Sequence, residues 1–190
     1  MQQEVEIEFK MLLTKEEFQL LQTNLPFPKA VIEQTNYYFE TDQFHLKQKQ
    51  CALRVRKKNS SYTATLKEPH LQGILETHDP LTEIEAINWI NGNIDQDKHT
   101  IRKLKQKGIP IHTLVYVGKL HTLRKEFKEE DICYFLDCNT YNEKVDYEIE
   151  IESVSKQKGL QALRELMDAY SIKQKHTPNK IERFFQTLEN

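Results

Sequence analysis

Carboxylates and basic side chains alternate with apolar residues along several segments of this 190-residue chain. Residues 4–10 read Glu-Val-Glu-Ile-Glu-Phe-Lys, and residues 147–152 read Tyr-Glu-Ile-Glu-Ile-Glu. Because successive side chains of a β-strand point to opposite faces, each segment puts its charges on one face and its apolar groups on the other. Carboxylate oxygens are the ligands that hard divalent cations prefer. The two segments are therefore candidate parts of a cation site.

Basic side chains take the same kind of position on two further predicted strands. Residues 53–56 read Leu-Arg-Val-Arg, and residues 63–67 read Thr-Ala-Thr-Leu-Lys. An arginine guanidinium binds phosphate oxygens in pairs, whereas a lysine ammonium acts as a point charge. Acidic and basic strand faces within one small domain predict an anionic ligand held beside a divalent cation.

The composition narrows the class of protein. Lys and Arg number 27 against 29 Asp and Glu, so no excess of basic charge favours nucleic acid as a bulk partner. The three cysteines are odd in number and form no CxxC pair, which predicts a reducing compartment without structural disulfides. No apolar run is long enough to cross a bilayer, and no basic-then-apolar leader starts the chain. We expect a cytoplasmic protein with no membrane partner, folded as a single domain over residues 1–190.

The periodicity predicts an α+β fold with about eight antiparallel strands. Thr14 and Glu17 have the spacing of a capping box, which places a helix start between the first two strands. Closing eight such strands into a β-barrel would remove their exposed edges. The predicted strands cover residues 3–13, 31–40, 51–58, 61–68, 73–79, 112–128, 131–139 and 144–153. The predicted helices cover 14–22, 83–106 in two or three parts and 156–170, and residues 180–185 form either a final helix or an extended tail.

Two orientations of the charged strand faces are open. A half-buried strand normally turns its charges to water, and that interpretation suits any one of these strands alone. However, the charges are sorted by sign, acidic at 4–8 and 148–152 and basic at 54–56 and 67. Like charges on one face repel each other unless an opposite charge lies between them. The amphipathic helices also need an apolar sheet surface to pack on. We therefore expect a charged lumen inside the barrel and helices packed outside it.

In their order along the chain, these residues resemble the signature of the CYTH superfamily, the triphosphate tunnel metalloenzymes. The family takes its name from class IV adenylate cyclase and thiamine triphosphatase. Its ExExK motif is matched by Glu6-Ile7-Glu8-Phe9-Lys10, and its paired arginines are matched by Arg54 and Arg56. The later matches are Lys67, Arg124, Asp137, an ExE strand at 148–150 or 150–152, and Lys180. The similarity extends over nearly the whole chain.

The resemblance implies an eight-stranded antiparallel barrel whose charged tunnel binds a triphosphate with Mg²⁺ or Mn²⁺. It implies three groups of site residues. The metal ligands would be Glu6, Glu8, Glu148 and Glu150, with Glu152 as an alternate, because the three late glutamates share one strand face and their register is open. The phosphate-binding residues would be Lys10, Arg54, Arg56, Lys67, Arg124 and Lys180. The catalytic set would be Glu6, Glu8, Lys10 and Asp137, with Asp137 in the metal shell or orienting water.

Three functions remain open at this point. The leading one is metal-dependent hydrolysis of inorganic triphosphate, a nucleoside triphosphate or thiamine triphosphate. The others are a class IV adenylate cyclase and a non-catalytic triphosphate or polyphosphate sensor. An apolar outer wall not covered by helices would also allow a homodimer.

Several other polar residues are weaker candidates for a site. The seven histidines show no zinc-ligand spacing and are interpreted as surface residues, with His78 as the exception because it shares strand parity with Glu76. Glu76, Glu83 and Glu85 are further candidates for the site, and for each of them a surface position is the preferred interpretation.

Overall fold

The computed structural model of the protein describes residues 2–188. Within these residues the chain forms nine strands and six helices, and no helix has the length and apolar composition that crossing a bilayer requires. The strands are β1 (Gln2–Glu6), β2 (Glu8–Leu13), β3 (Ile32–Thr41), β4 (Ala52–Lys58), β5 (Ser61–Pro69), β6 (Ile74–Leu81), β7 (Leu114–Glu129), β8 (Ile132–Tyr141) and β9 (Lys144–Ser153). The helices are α1 (Lys15–Asn24), α2 (His45–Gln48), α3 (Glu83–Ile90), α4 (His99–Gln106), α5 (Lys156–Ala169) and α6 (Lys180–Gln186).

The chain divides into two compact units. The first unit contains residues 2–5 and Gln34–Leu120, and its strands are hydrogen-bonded in the order β1-β6-β5-β4-β3-β7. The second unit contains Glu6–Glu33 and residues 121–188, with the order β7-β8-β9-β2. Strand β7 begins in the first unit and ends in the second.

The predicted class, an antiparallel sheet accompanied by helices, is confirmed, but the strand count of eight is wrong. The described residues contain nine strands because the first predicted strand, 3–13, is interrupted at Ile7. The Ile7 carbonyl accepts a hydrogen bond from the Ser153 amide (3.1 Å). Strand β1 is hydrogen-bonded to β6, whereas β2 pairs with β9. The interruption at Ile7 therefore lets the charged segment 4–10 pair with two different strands, β6 before Ile7 and β9 after it.

The apolar face of the first unit packs against helices. Leu53 of β4 and Leu66 of β5 are opposite each other in the strand register, and both are completely buried. They belong to one hydrophobic cluster with Trp89 of α3 and Leu104 of α4, which are also completely buried. The charged residues that alternate with them along β4 and β5 consequently lie on the other face of these strands.

The second unit repeats this arrangement. Ile149 of β9 is opposite both Met11 of β2 and Leu136 of β8, so three strands contribute to one apolar row. This row belongs to a cluster that includes Leu21 of α1 and Leu163 of α5. Because the helices cover the apolar face, the glutamates that alternate with Ile149 along β9 are turned away from the hydrophobic cluster.

Two helix starts are fixed by reciprocal side-chain hydrogen bonds. The predicted capping box at Thr14 and Glu17 is confirmed, and a second one joins Thr82 to Glu85 at the start of α3. Each box satisfies backbone N–H groups that the first helical turn leaves without intrahelical partners. Glu85 thus has a local structural role, and it also contacts Lys98 (2.6 Å).

Helix α5 approaches the sheet closely at a glycine. A Cβ atom added at Gly159 would lie 2.5 Å from Ser153 Oγ and 2.7 Å from two ring carbons of Phe9. We expect Gly159→Ala to destabilise the protein by about 1–3 kcal/mol, because overpacking outweighs the higher helix propensity of alanine. Urea unfolding would measure the change. Gln161→Ala, on the exposed side of the same helix, is the control, and equal stability of the two variants would contradict the close approach.

Candidate functional site

A first set of carboxylates in the second unit consists of Glu6, Glu8 and Glu152. Each offers an oxygen atom that lies within 4.8 Å of the others, and all three residues are half-buried. Glu8 and Glu152 are directly opposite each other in the β2–β9 register. Burial, followed by the negative charge of Glu6 and a hydrogen bond with it, raises the pKa of Glu152 to about 8. Glu152 therefore lies in a concentration of negative charge that a hard divalent cation would neutralise.

A second set, Asp137, Glu148 and Glu150, is more deeply buried. Its oxygen atoms also lie within 4.8 Å of one another, and Asp137 is directly opposite Glu148 on the adjacent strand. Lys180 of α6 places its ammonium group 2.9 Å from Asp137 Oδ2 and 2.8 Å from Glu150 Oε1, and it also donates to Glu148 Oε1. An ammonium group thus occupies the centre of this set.

Two arginines complete the charge compensation of the second set. Arg124 donates to both oxygens of Asp137 (2.7 and 2.7 Å) and to Glu150 Oε2 (2.5 Å). Its guanidinium also lies over the Phe135 ring, 4.3 Å from the ring centroid. Arg183 donates to Glu148 Oε2. Three cations therefore contact three buried carboxylates, so this set is compensated by the protein itself.

The pKa values within the second set diverge. Burial, opposed by Lys180, raises the pKa of Glu148 to about 7. Burial also disfavours the charged forms of Glu150 and Asp137, but Lys180 and Arg124 overcome it and hold both pKa values below their ordinary range. Glu150 and Asp137 are thus the ionised partners of these cations at neutral pH.

Lys10 contacts both sets of carboxylates. Its ammonium lies 2.5 Å from Glu8 Oε1 and 3.8 Å from Glu150 Oε1. It is directly opposite Glu150 in the β2–β9 register, which explains why one lysine reaches both.

The first unit has a basic group of its own around a buried carboxylate. Glu76 of β6 is 4% exposed, and its carboxylate lies 2.6 Å from Lys67 Nζ and 3.6 Å from an Arg54 nitrogen. Although burial opposes ionisation, the charges of Arg54 and Lys67 lower the pKa of Glu76 to about 2. His78 Nε2 lies 3.2 Å from Glu76 and 3.1 Å from Glu4. The interpretation of Glu76 as a surface residue is therefore wrong.

Two buried donors on this basic face have no hydrogen-bond partner among the described residues, Arg54 Nε and Asn36 Nδ2. Asn36 is completely buried and uses its oxygen to accept from Arg56 Nε (2.9 Å). Arg56 and Asn36 are directly opposite each other on β4 and β3, and Tyr38 is opposite Arg54. Buried donors without acceptors are rare in proteins, and here they indicate a place for an anion.

Arg183 is not among the site residues predicted from the sequence, and Glu76 is buried among basic side chains where a surface position was predicted. A signal for Arg183 existed, because it follows Lys180 by three residues and so shares its helix face. A signal for Glu76 existed in the hairpin, which sets it directly opposite Lys67. Glu83, at the start of α3, accepts a hydrogen bond from the Tyr62 hydroxyl (3.1 Å).

Comparison with known proteins identifies the class. The CYTH domain family matches residues 4–185, so the chain belongs to this family. YjbK of Bacillus subtilis (strain 168), a proposed triphosphatase, is 42% identical over 187 residues, which are 98% of this chain and 97% of YjbK. The family resemblance predicted from the sequence is therefore confirmed.

Solved structures agree with this membership. A proposed adenylate cyclase from Bacillus halodurans superposes with a TM-score of 0.93 at 39% identity, over 97% of this chain and 100% of that one. HpAC1 from Hippeastrum, a proposed adenylyl cyclase reported to have a dominant triphosphatase activity, superposes with a TM-score of 0.77 at 22% identity, over 95% of each chain. The second comparison concerns the fold alone.

The raised pKa values predict how the stability of the protein depends on pH without divalent metal. Glu148 and Glu152 have folded-state pKa values of about 7 and about 8, above the 4.5 of an ordinary glutamate. The folded state therefore binds more protons than the unfolded state in this window, and its stability should fall as the pH rises from about 5 to 8. Glu150 and Asp137, with lowered pKa values, instead add stability that is lost only at more acidic pH.

Urea unfolding in EDTA at pH 5, 6, 7 and 8 would test this prediction. Glu152→Gln should flatten the dependence, whereas the exposed Glu165→Gln should leave it unchanged. Stability that rises steadily across this range would contradict the charge distribution described above.

Proposed function

We propose that this protein hydrolyses a triphosphate with the help of a bound divalent cation. One observation carries the proposal: two neighbouring sets of carboxylates differ in charge compensation. Lys180, Arg124 and Arg183 contact the set formed by Asp137, Glu148 and Glu150, whereas in the other set Glu152 lies against the like-charged Glu6 and Glu8. Membership of the CYTH family and 42% identity to a proposed triphosphatase support the same activity.

The carboxylate oxygens of Glu6, Glu8 and Glu152 fit Mg²⁺ or Mn²⁺, which prefer hard oxygen ligands. Either ion would acidify an attacking water and neutralise charge on the phosphoryl oxygens. The sequence left the register open among Glu148, Glu150 and Glu152. We assign Glu152 to the cation, because both Glu148 oxygens accept from Lys180 and Arg183. Glu150, which contacts Lys180 and Arg124, belongs with the compensated set.

The phosphate groups would be bound by the basic side chains. In the second unit these are Lys10, Arg124 and Lys180; in the first unit they are Arg54, Arg56 and Lys67. Lys180 has three N–H donors and contacts three carboxylates, so a phosphate oxygen would replace one of those carboxylate oxygens. The buried donors on Arg54 and Asn36 that have no partner support anion binding on the first unit. Within the second unit, the basic side chains that lie beside the carboxylates would stabilise the phosphoryl group during transfer.

Asp137 was expected to belong to the metal shell or to orient water. Asp137 is completely buried, and both of its oxygens accept from Arg124. We therefore propose that Asp137 is a positioning residue, which holds the Arg124 guanidinium at the edge of the carboxylate sets.

Release of orthophosphate from inorganic triphosphate with Mg²⁺ or Mn²⁺ would test the proposed activity. We expect Glu6→Gln to lower kcat/KM by about 10²-fold, because a metal ligand or a transition-state contact is lost. Arg54→Gln should act mainly by raising KM, because Arg54 would bind the phosphates equally strongly in the ground state and in the transition state. Glu165→Gln, an exposed position, is the control.

Two outcomes would contradict the hydrolase proposal. Binding of triphosphate without turnover in either metal would favour the sensor. Formation of cyclic AMP from ATP as the main product would favour the cyclase, the activity proposed for the Bacillus halodurans relative.

The metal assignment predicts opposite behaviour for Glu152 and Glu148. Glu152→Gln should abolish the rise in thermal midpoint that Mn²⁺ causes and should stabilise the metal-free protein at pH 8, because it removes repulsion with Glu6. Glu148→Gln should leave the Mn²⁺ response in place, because both Glu148 oxygens already accept hydrogen bonds from Lys180 and Arg183. Thermal shift measurements with and without Mn²⁺ distinguish the two, and the reverse pattern would overturn the assignment.

A further inference from the structure

Arg183 is the most constrained cation of the second unit outside the predicted site residues. It is 6% exposed, and it pairs with Asp146 through Nε (2.9 Å) and through a terminal nitrogen (3.3 Å). That terminal nitrogen also donates to Glu148, and the other one donates to the Pro178 carbonyl (2.7 Å). Four hydrogen bonds therefore use most of the five N–H donors of the guanidinium. Arg183 has little capacity left to bind a phosphate group itself.

Asp146, the main partner of Arg183, is itself held by neighbouring strands. Tyr141 donates its hydroxyl to Asp146 Oδ2 (2.6 Å), and Asn139 donates its amide to Asp146 Oδ1 (3.0 Å). Thr122 in turn donates to the Asn139 oxygen (2.7 Å). Thr122 and Asn139 are completely buried. Arg183 is therefore attached to a hydrogen-bonded chain of side chains that runs across β7, β8 and β9.

Arg183 also determines where the start of α6 lies. Its hydrogen bond to the Pro178 carbonyl fixes the backbone two residues before Lys180. Lys180 and Arg183 are three residues apart on this helix, and they hold the two different oxygens of Glu148. Without Arg183, one oxygen of a completely buried carboxylate would lose its partner, and Lys180 would be left as the counter-charge of Glu148 as well as of Asp137 and Glu150.

We propose that Arg183 is a positioning residue for Lys180. It anchors α6 to Asp146 and neutralises Glu148, so that the Lys180 ammonium stays between Asp137 and Glu150. The inference concerns the placement of Lys180, and its consequence for catalysis rests on the proposed triphosphate hydrolysis.

The placement can be measured without any activity assay. Reductive methylation with formaldehyde and cyanoborohydride, followed by peptide mass spectrometry, reports how accessible each lysine amine is. In the wild-type protein Lys180, whose side chain is 11% exposed, should be protected, whereas Lys158, with a side chain 52% exposed, should react. We expect Arg183→Gln to increase the labelling rate of Lys180 about tenfold or more, while Lys158 is unchanged. The exposed Arg164→Gln is the matched control.

Kinetics then test the link to catalysis. Arg183→Gln should lower kcat/KM for inorganic triphosphate by about 10–100-fold, as loss of a supporting residue typically does. In a Lys180→Gln background, adding Arg183→Gln should lower kcat/KM little further, because the residue that Arg183 positions is already absent. Arg183→Lys keeps one cation beside Glu148 and should recover part of the loss.

Each outcome decides the inference. The inference would be overturned if Lys180 stayed protected from methylation in a folded Arg183→Gln protein. It would also be overturned if the effects of Arg183→Gln and Lys180→Gln on kcat/KM were additive. If Arg183→Gln does not fold, Asp146→Asn weakens the same anchor with little change of size and should give the same increase in Lys180 labelling. A wild-type protein that protects Lys180 but hydrolyses no triphosphate would refute the proposed function and leave the placement of Lys180 standing.

Discussion

The compensation of buried carboxylates is the constraint on which the second unit depends. Removing a carboxylate from water costs several kcal/mol even after relaxation, so Glu148 and Glu150 are tolerable on β9 only with cations against them. Lys180, Arg124 and Arg183 supply these cations from α6 and β7. The hydrophobic cluster on the other face of β9 positions the strand, and this charge network holds α6 to the sheet together with the buried Phe184 and Phe185.

The difference in charge compensation between the two sets of carboxylates also gives the unit its proposed chemistry. A set filled by three basic side chains has no need of a metal ion, and it can hold Arg124 and Lys180 in fixed positions. A set in which Glu152 and Glu6 repel each other gains by binding a divalent cation, because the cation replaces a proton or relieves the repulsion. Lys10 contacts both sets, so it links the metal ligands to the positioned cations.

Much of this arrangement could be predicted from the sequence because alternation fixes which residues share a strand face. The capping box at Thr14, the hairpin of basic strands and the charged faces opposite the helix-covered core all follow from local patterns. The choice between Glu148 and Glu152 could not be predicted, since the two have the same parity. That choice depends on where α6 places its cations, and Arg183 lies 35 residues beyond Glu148. The interruption at Ile7 was hidden for a similar reason, because it reflects a change of strand partner and no local breaker residue marks it.

The position of the metal ion tests the account most directly. Anomalous diffraction from crystals soaked with Mn²⁺ and inorganic triphosphate would locate the cation relative to both carboxylate sets. We expect a peak bound by Glu6, Glu8 and Glu152, with the Lys180 side chain still on the side of Asp137 and Glu150. A peak centred among Asp137, Glu148 and Glu150, with Lys180 and Arg183 displaced, would contradict it.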